Sequence, residues 1–221
     1  MSEGTLLDGV EGARAGYVLA HGAGAGMKHP FMAAVANGLA SRSIATLRYE
    51  FPYMQARGRP PTGTGSDISK RPDPPKIAQA AVRAAVEEAR TRMPKLPLFA
   101  GGKSFGGRMT SQAQAAEALP GVRGLIFLGF PLHAVGKPSD ERAKHLYDIE
   151  VPMLFLQGSR DALADLSLLE PIVKKLGSRA TLEVFEEADH SFHVPARTGR
   201  KDSQVLDDLL ERLSAWVAAT R

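Results

Sequence analysis

The stretch FAGGKSFGGRM, residues 99–109, decides how the chain is read. Ser104 stands in it with Gly102 two positions before and Gly106 two positions after. Glycine accepts backbone angles and close contacts that a β-carbon forbids. The plain reading is a flexible loop. The sharper one is G-x-S-x-G, a strained strand-to-helix elbow that presents a nucleophilic serine. Five residues match by chance too readily to settle this alone. The elbow does make demands, however: a strand before it, a helix after it, and a base and an acid further along the chain.

The flanks meet the first two demands. Short apolar runs predict strands at 16–22, 44–49, 97–102, 124–130, 152–158 and 180–186. Most are continuous in hydrophobicity, the pattern of parallel strands covered on both faces. Between them, helices are predicted at 30–41, 76–92, 105–118, 139–147, 165–176 and 202–219. The last is the clearest, because Val205, Leu206, Leu209, Leu210, Leu213, Trp216 and Val217 recur at three- and four-residue steps along one stripe. Pro171 is expected to break or offset the helix around it. Strand–helix alternation predicts a doubly wound, mostly parallel α/β sheet of about six or seven strands. Ligands of such sheets sit outside the carboxyl ends of the strands. His21 to Gly26, Ser104, Asp161 and His190 all follow predicted strands, so the polar chemistry gathers on one edge.

Composition sets the remaining bounds. A chain of 221 residues suits a single domain, here 1–221. No cysteine is present, which excludes disulfides, thiolate metal sites and a cysteine nucleophile together. The N-terminal residues lack a basic segment followed by an apolar run, and no stretch is long and apolar enough to span a bilayer. These features predict a soluble, cytoplasmic protein. The net charge of +4 is spread along the chain and not gathered on a helix or tract, so nucleic-acid binding is not expected. The segment 51–76 is rich in proline and glycine and reads as mostly loop. Its surplus of lysine and arginine suits a solvated loop, with contact to an anionic substrate as the alternative.

The third demand concerns the base and acid. A serine hydroxyl needs a base within hydrogen-bond reach, and the base needs an orienting acid. The order serine, acid, histidine is met by Ser104, then Asp161 in LQGSRDALAD, then His190 in EEADHSFHV. Asp161 has a competing reading as the cap of the following helix, Asp165 is a rival acid one turn on, and His193 is a rival base. His190 is preferred because it directly follows the predicted strand, with His193 expected to pack or face solvent. The oxyanion of acyl transfer needs donors. They are expected from the backbone N–H groups of Phe105 and of Ala23, in the loop LAHGAGAGMKHPFM, with Gly24 the next choice. That loop fails the dinucleotide fingerprint, with Met27 where its third glycine belongs, and GGKS lacks the earlier glycine of a phosphate loop. Arg48, Glu50 and Tyr53 in LRYEFPYM are read first as packing support near the neighbouring loop, with substrate contact or mutual pairing as alternatives, and Lys103 is expected to hold the elbow or reach an adjacent loop.

Together LAHGAGAGMKHPFM, LRYEFPYM, GGKSFGGRM, GSRDALAD and DHSFH resemble the α/β-hydrolases over nearly the whole chain, near the dienelactone-hydrolase branch. The resemblance implies a serine hydrolase acting on an ester, thioester or related acyl bond of a small molecule. No metal or organic cofactor is implied. Dienelactone hydrolases proper carry a cysteine nucleophile, which this chain lacks. The short interval between Phe130 and Met153, where large lids enter, implies a minimal lid or none. The alternative function is a binding or scaffold protein that keeps the fold without turnover.

Overall fold

The computed structural model describes residues 4–57 and 71–220. Seven strands form one sheet in the order β1-β3-β2-β4-β5-β6-β7. They are β1 (Thr5–Asp8), β2 (Ala15–Ala20), β3 (Ile44–Tyr49), β4 (Leu98–Lys103), β5 (Val122–Leu128), β6 (Met153–Gly158) and β7 (Ala180–Phe185). β1 pairs antiparallel with β3, and every other pairing is parallel. Six of the strands lie where hydrophobic runs predict them. β1 was not predicted, because TLLD is short and only half-buried at the sheet edge, so it gives no continuous apolar signal.

The continuous apolar runs are explained by burial on both faces. Val18 and Ala20 of β2 face one core, while Tyr17 and Leu19 face the other. On the first face pack α3 (Pro75–Arg92), α4 (Phe105–Ala116) and α5 (Leu166–Leu176), through Val82, Met109, Leu169 and their neighbours. On the second pack α1 (Pro30–Ala40) and α6 (Asp202–Ala219), through Met32, Val35, Leu209 and Leu213. The molecule is thus a three-layer α/β structure.

Three departures from expectation have local causes. Pro171 stands inside α5 and does not end it. Its ring is on the exposed side, so the Ser167 carbonyl that loses an amide partner can be met by water. The helix expected at 139–147 is a 3-10 segment, Glu141–Asp148. Within 51–76, Pro52–Ala56 forms the short helix α2, started by a proline at its first position. Residues 58–70 of that segment, with any cover they give the site, lie outside the described residues. Among the described residues, nothing larger than the 3-10 segment separates β5 from β6, so no lid is inserted there.

Candidate active site

The elbow explains its own glycines. Ser104 adopts φ 51°, ψ −116°, an unusual conformation for a residue with a side chain. The turn tucks against the end of β2. A β-carbon on Gly106 would lie 2.5 Å from the His21 carbonyl oxygen, and one on Gly102 would lie 2.1 Å from that of Ala20. Gly102 also has φ +146°, which side chains rarely adopt. Both glycines are required by close backbone approach, and the flexible-loop reading fails.

The side chain so presented meets His190. Nε2 of His190 lies 2.8 Å from Ser104 Oγ, and its Nδ1 lies 2.6 Å from Asp161 Oδ2. The Asp161 side chain is fully buried, whereas that of His190 is 24% exposed, so the imidazole is the open end of the chain of contacts. The other carboxylate oxygen accepts the Leu163 N–H at 2.8 Å. Asp161 therefore faces the histidine with one oxygen and closes a turn with the other, while the capping of the following helix, its competing reading, falls to a different residue. Asp165 turns away, accepting the Ser167 N–H as the N-cap of α5. His193 is exposed and pairs with Asp202 at 2.8 Å, while His133 Nε2 accepts the Asp165 N–H at 3.0 Å.

Two residues support this chain of contacts, Gln157, which the sequence reading does not single out, and Lys103, which it expects at the elbow or an adjacent loop. Gln157 is buried at the end of β6, donates to Asp161 Oδ2 and accepts the Phe130 N–H at 2.9 Å. It locks the carboxylate to the end of β5. The signal was a lone amide in the otherwise apolar MLFLQG. Lys103 reaches the loop after β7, where its ammonium donates to the His190 carbonyl and lies 5.5 Å from the centre of the Phe192 ring. Burial pushes the Lys103 pKa down to about 8, against the pull of Asp161 and Asp189. The loop itself is tight. Asp189 Oδ1 accepts the N–H groups of Ser191 and His193 at 2.7 and 3.0 Å.

The loop after β2 approaches the serine from the other side. A β-carbon on Gly22 would lie 3.8 Å from the Ser104 β-carbon. Two donors converge on the Gly22 carbonyl: His21 Nδ1 at 2.7 Å and Tyr53 Oη at 3.2 Å. Nε2 of His21 accepts the Phe51 N–H at 3.0 Å, which fixes the neutral tautomer, and burial lowers its pKa. In a trans peptide the N–H points opposite the carbonyl. Holding the Gly22 oxygen from one side therefore aims the Ala23 N–H to the other. Tyr53 Oη also lies 3.1 Å from the Ala23 carbonyl. Further along, Glu50 accepts the Met27 N–H at 2.8 Å, and Arg48 bridges the Met27 carbonyl at 2.8 Å and Asp8 of β1. The expected loop-supporting role of Arg48, Glu50 and Tyr53 matches these contacts. Phe105 is the first residue of α4, where a helix N–H has no partner within the helix.

A parallel sheet with an elbow after a central strand and acid and histidine after later strands defines the α/β-hydrolase class. The chain belongs to that family: residues 13–218 match the model described as an alpha/beta hydrolase domain. Among solved structures, it is similar to a dienelactone hydrolase from Anabaena variabilis, with 19% identity over 98% of this chain and 91% of that one and a TM-score of 0.73. It is also similar to an α/β serine hydrolase without lid from Xanthomonas campestris, with 22% identity over 96% and 88% and a TM-score of 0.67. Est1E from Butyrivibrio proteoclasticus, solved with ferulic acid bound, shares 15% identity over 95% of each chain at a TM-score of 0.62. Among the described residues, no helix is long and apolar enough to cross a membrane.

Proposed function

We propose that the protein is a serine hydrolase that cleaves an ester, thioester or related acyl bond of a small molecule. The observation that carries this reading is the continuous contact from Ser104 Oγ through His190 to the buried Asp161. Ser104 attacks the acyl carbon while His190 Nε2 takes its proton; the acyl–oxygen or acyl–sulfur bond then breaks and His190 returns the proton to the leaving group. Asp161 holds the imidazole with Nδ1–H toward itself and stabilises the imidazolium. The N–H groups of Ala23 and Phe105 meet the oxyanion of the tetrahedral intermediate. Water, deprotonated by the same histidine, releases the acyl group and restores Ser104. The name of the lidless serine hydrolase agrees with this chemistry and does not choose a substrate.

The test is covalent labelling. A fluorophosphonate probe should modify the wild-type protein at Ser104 and leave Ser104→Ala unmodified. The variant should keep the wild-type circular dichroism, since the serine side chain is a small group at the mouth of the elbow. Aryl-ester hydrolysis should fall by several orders of magnitude, as losing a triad nucleophile does. A probe-inert wild type would favour a binding or scaffold role on the same fold.

A further inference from the structure

Arg108 lies one turn along α4 from Ser104, and its N–H donates to the Ser104 carbonyl at 3.1 Å. Its guanidinium carbon stands 6.0 Å from the centre of the Phe105 ring, whose own backbone N–H faces the proposed oxyanion site. The ring in turn abuts Phe51 at 5.2 Å and Tyr53 at 6.1 Å, so the cation stands against the aromatic cluster formed by the residue that follows the nucleophile. The arginine is half-buried, and its Nε is buried with no hydrogen-bond partner among the described residues.

That arrangement is unlike that of other arginines set partly into the surface. Arg48 meets Asp8 at 3.0 Å, and Arg42 meets Asp207 at 2.5 Å. The charge felt by Arg108 is instead that of a second cation, Arg142, on the 3-10 segment that meets α4 through His145 and Ser111. Burial first and Arg142 second disfavour its charged form. The nearest imidazole adds no negative charge. His145 lies 2.7 Å from Ser111 Oγ and is held neutral, its pKa pushed down to about 4 by burial and by Arg108, with Asp148 opposing. A buried donor without an acceptor and a like charge within electrostatic reach are both costly. An oxyanion between the guanidinium groups relieves both costs at once, through short charge-assisted bonds that the guanidinium fork matches well.

We propose that Arg108 and Arg142 form an anion subsite beside Ser104, so that the substrate carries a free oxyanion, such as a carboxylate, besides the acyl bond that is cleaved. The inference rests on the serine-hydrolase reading for its kinetic test and on the two arginines alone for its binding test.

The kinetic test compares matched esters. 4-Nitrophenyl hemiglutarate carries a carboxylate on the acyl side, and 4-nitrophenyl pentanoate is its neutral counterpart. 4-Acetoxybenzoate against its methyl ester places the charge on the leaving group. The wild type should favour one anionic ester over its neutral partner in kcat/KM, and added salt should shrink that preference. Arg108→Met should reduce the anionic-to-neutral ratio roughly tenfold or more, and Arg108→Lys should restore part of it. Arg142→Gln should lower the same ratio and stands in if Arg108→Met does not fold. The melting temperature of Arg108→Met should hold or rise, because an uncompensated enclosed charge has been removed; an arginine with a merely structural role would lower it. No anionic preference in either pair, or a ratio unmoved by both substitutions, overturns the proposal. If neither the fluorophosphonate nor any ester reacts, the hydrolase reading falls and the subsite is judged by calorimetry with glutarate. Binding by the wild type that Arg108→Met loses supports it, and absent or unaltered binding overturns it.

Discussion

At the scale of single residues, Asp161 carries the most demanding geometry. Its carboxylate is reached by the His190 ring, the Gln157 amide and the Leu163 backbone, with no side-chain surface left to solvent. Asparagine in its place keeps the shape but offers an N–H where His190 Nδ1 and Gln157 both donate. The imidazole would turn to the wrong tautomer or lose its partner. Asp161→Asn should therefore cost up to ~10⁴ in kcat/KM, the loss seen when a triad acid is so replaced. Asp165→Asn should stay within about twofold, because asparagine caps a helix as well as aspartate does. Ester hydrolysis by the two variants decides the matter. A weaker Asp165 variant would move the acid four residues along the chain. The same residues show what could be read from sequence. The order of Ser104, Asp161 and His190 after their strands was legible, since strand ends are marked by apolar runs that stop. The partners Gln157 and Arg108 were not. A glutamine in a strand and an arginine in a helix are ordinary until the fold reveals what faces them.

At the scale of elements, the loop after β2 owes its shape to α2, a five-residue helix inside a segment whose prolines and glycines read as loop. Pro52 starts that helix, and Asp73 accepts the Tyr53 N–H at 3.1 Å, tying it to the chain before α3. Tyr53 then holds the carbonyls of Gly22 and Ala23, which sets the direction of the Ala23 N–H. Tyr53→Phe keeps the ring contacts with Phe51 and Phe105 and removes only the hydroxyl. We expect kcat to fall by about tenfold with KM little changed, a fraction of the 10²–10³ that follows outright loss of an oxyanion donor. A variant with normal kcat would show that His21 alone orients the peptide. Sequence reading located this cluster, because LRYEFPYM follows a strand, but could not tell support from substrate contact. That distinction depends on which way each polar atom points. Pro171 teaches a related lesson. A proline penalises a helix through one amide and one carbonyl, and on an exposed face water can meet the carbonyl, so α5 continues.

At the scale of the molecule, the sheet order places β4, β5, β6 and β7 side by side, so Ser104, Asp161 and His190 leave neighbouring strands at one edge. Alternating strands and helices made the three layers legible, while the strand order and the antiparallel β1 depend on long-range pairing that no local pattern encodes. Lys103 ties the centre of this edge to its flank, joining the end of β4 to the loop after β7, and its burial should show in whole-molecule stability. Its pKa stands near 8 in the folded protein against the usual 10.5. Below pH 8 both folded and unfolded chains hold the proton, and the penalty for enclosing the charge is constant. Between about 8 and 10.5 the unfolded chain holds a proton that the native state has released, so stability rises with pH by up to about 1.4 kcal/mol per unit. Lys103→Met removes that titration. The melting temperature of wild type minus that of the variant should therefore climb by a few degrees between pH 7 and 9.5, at roughly 2–4 °C per kcal/mol for a chain of this size. Groups that titrate alike in both proteins cancel in the difference. Activity should follow a separate rule. A neutral amine still donates an N–H to the His190 carbonyl, so wild-type kcat should not collapse as pH passes 8, whereas Lys103→Met should have a lower kcat throughout. A stability difference that is flat or falls over this range would mean that the Lys103 ammonium is well solvated in the folded protein.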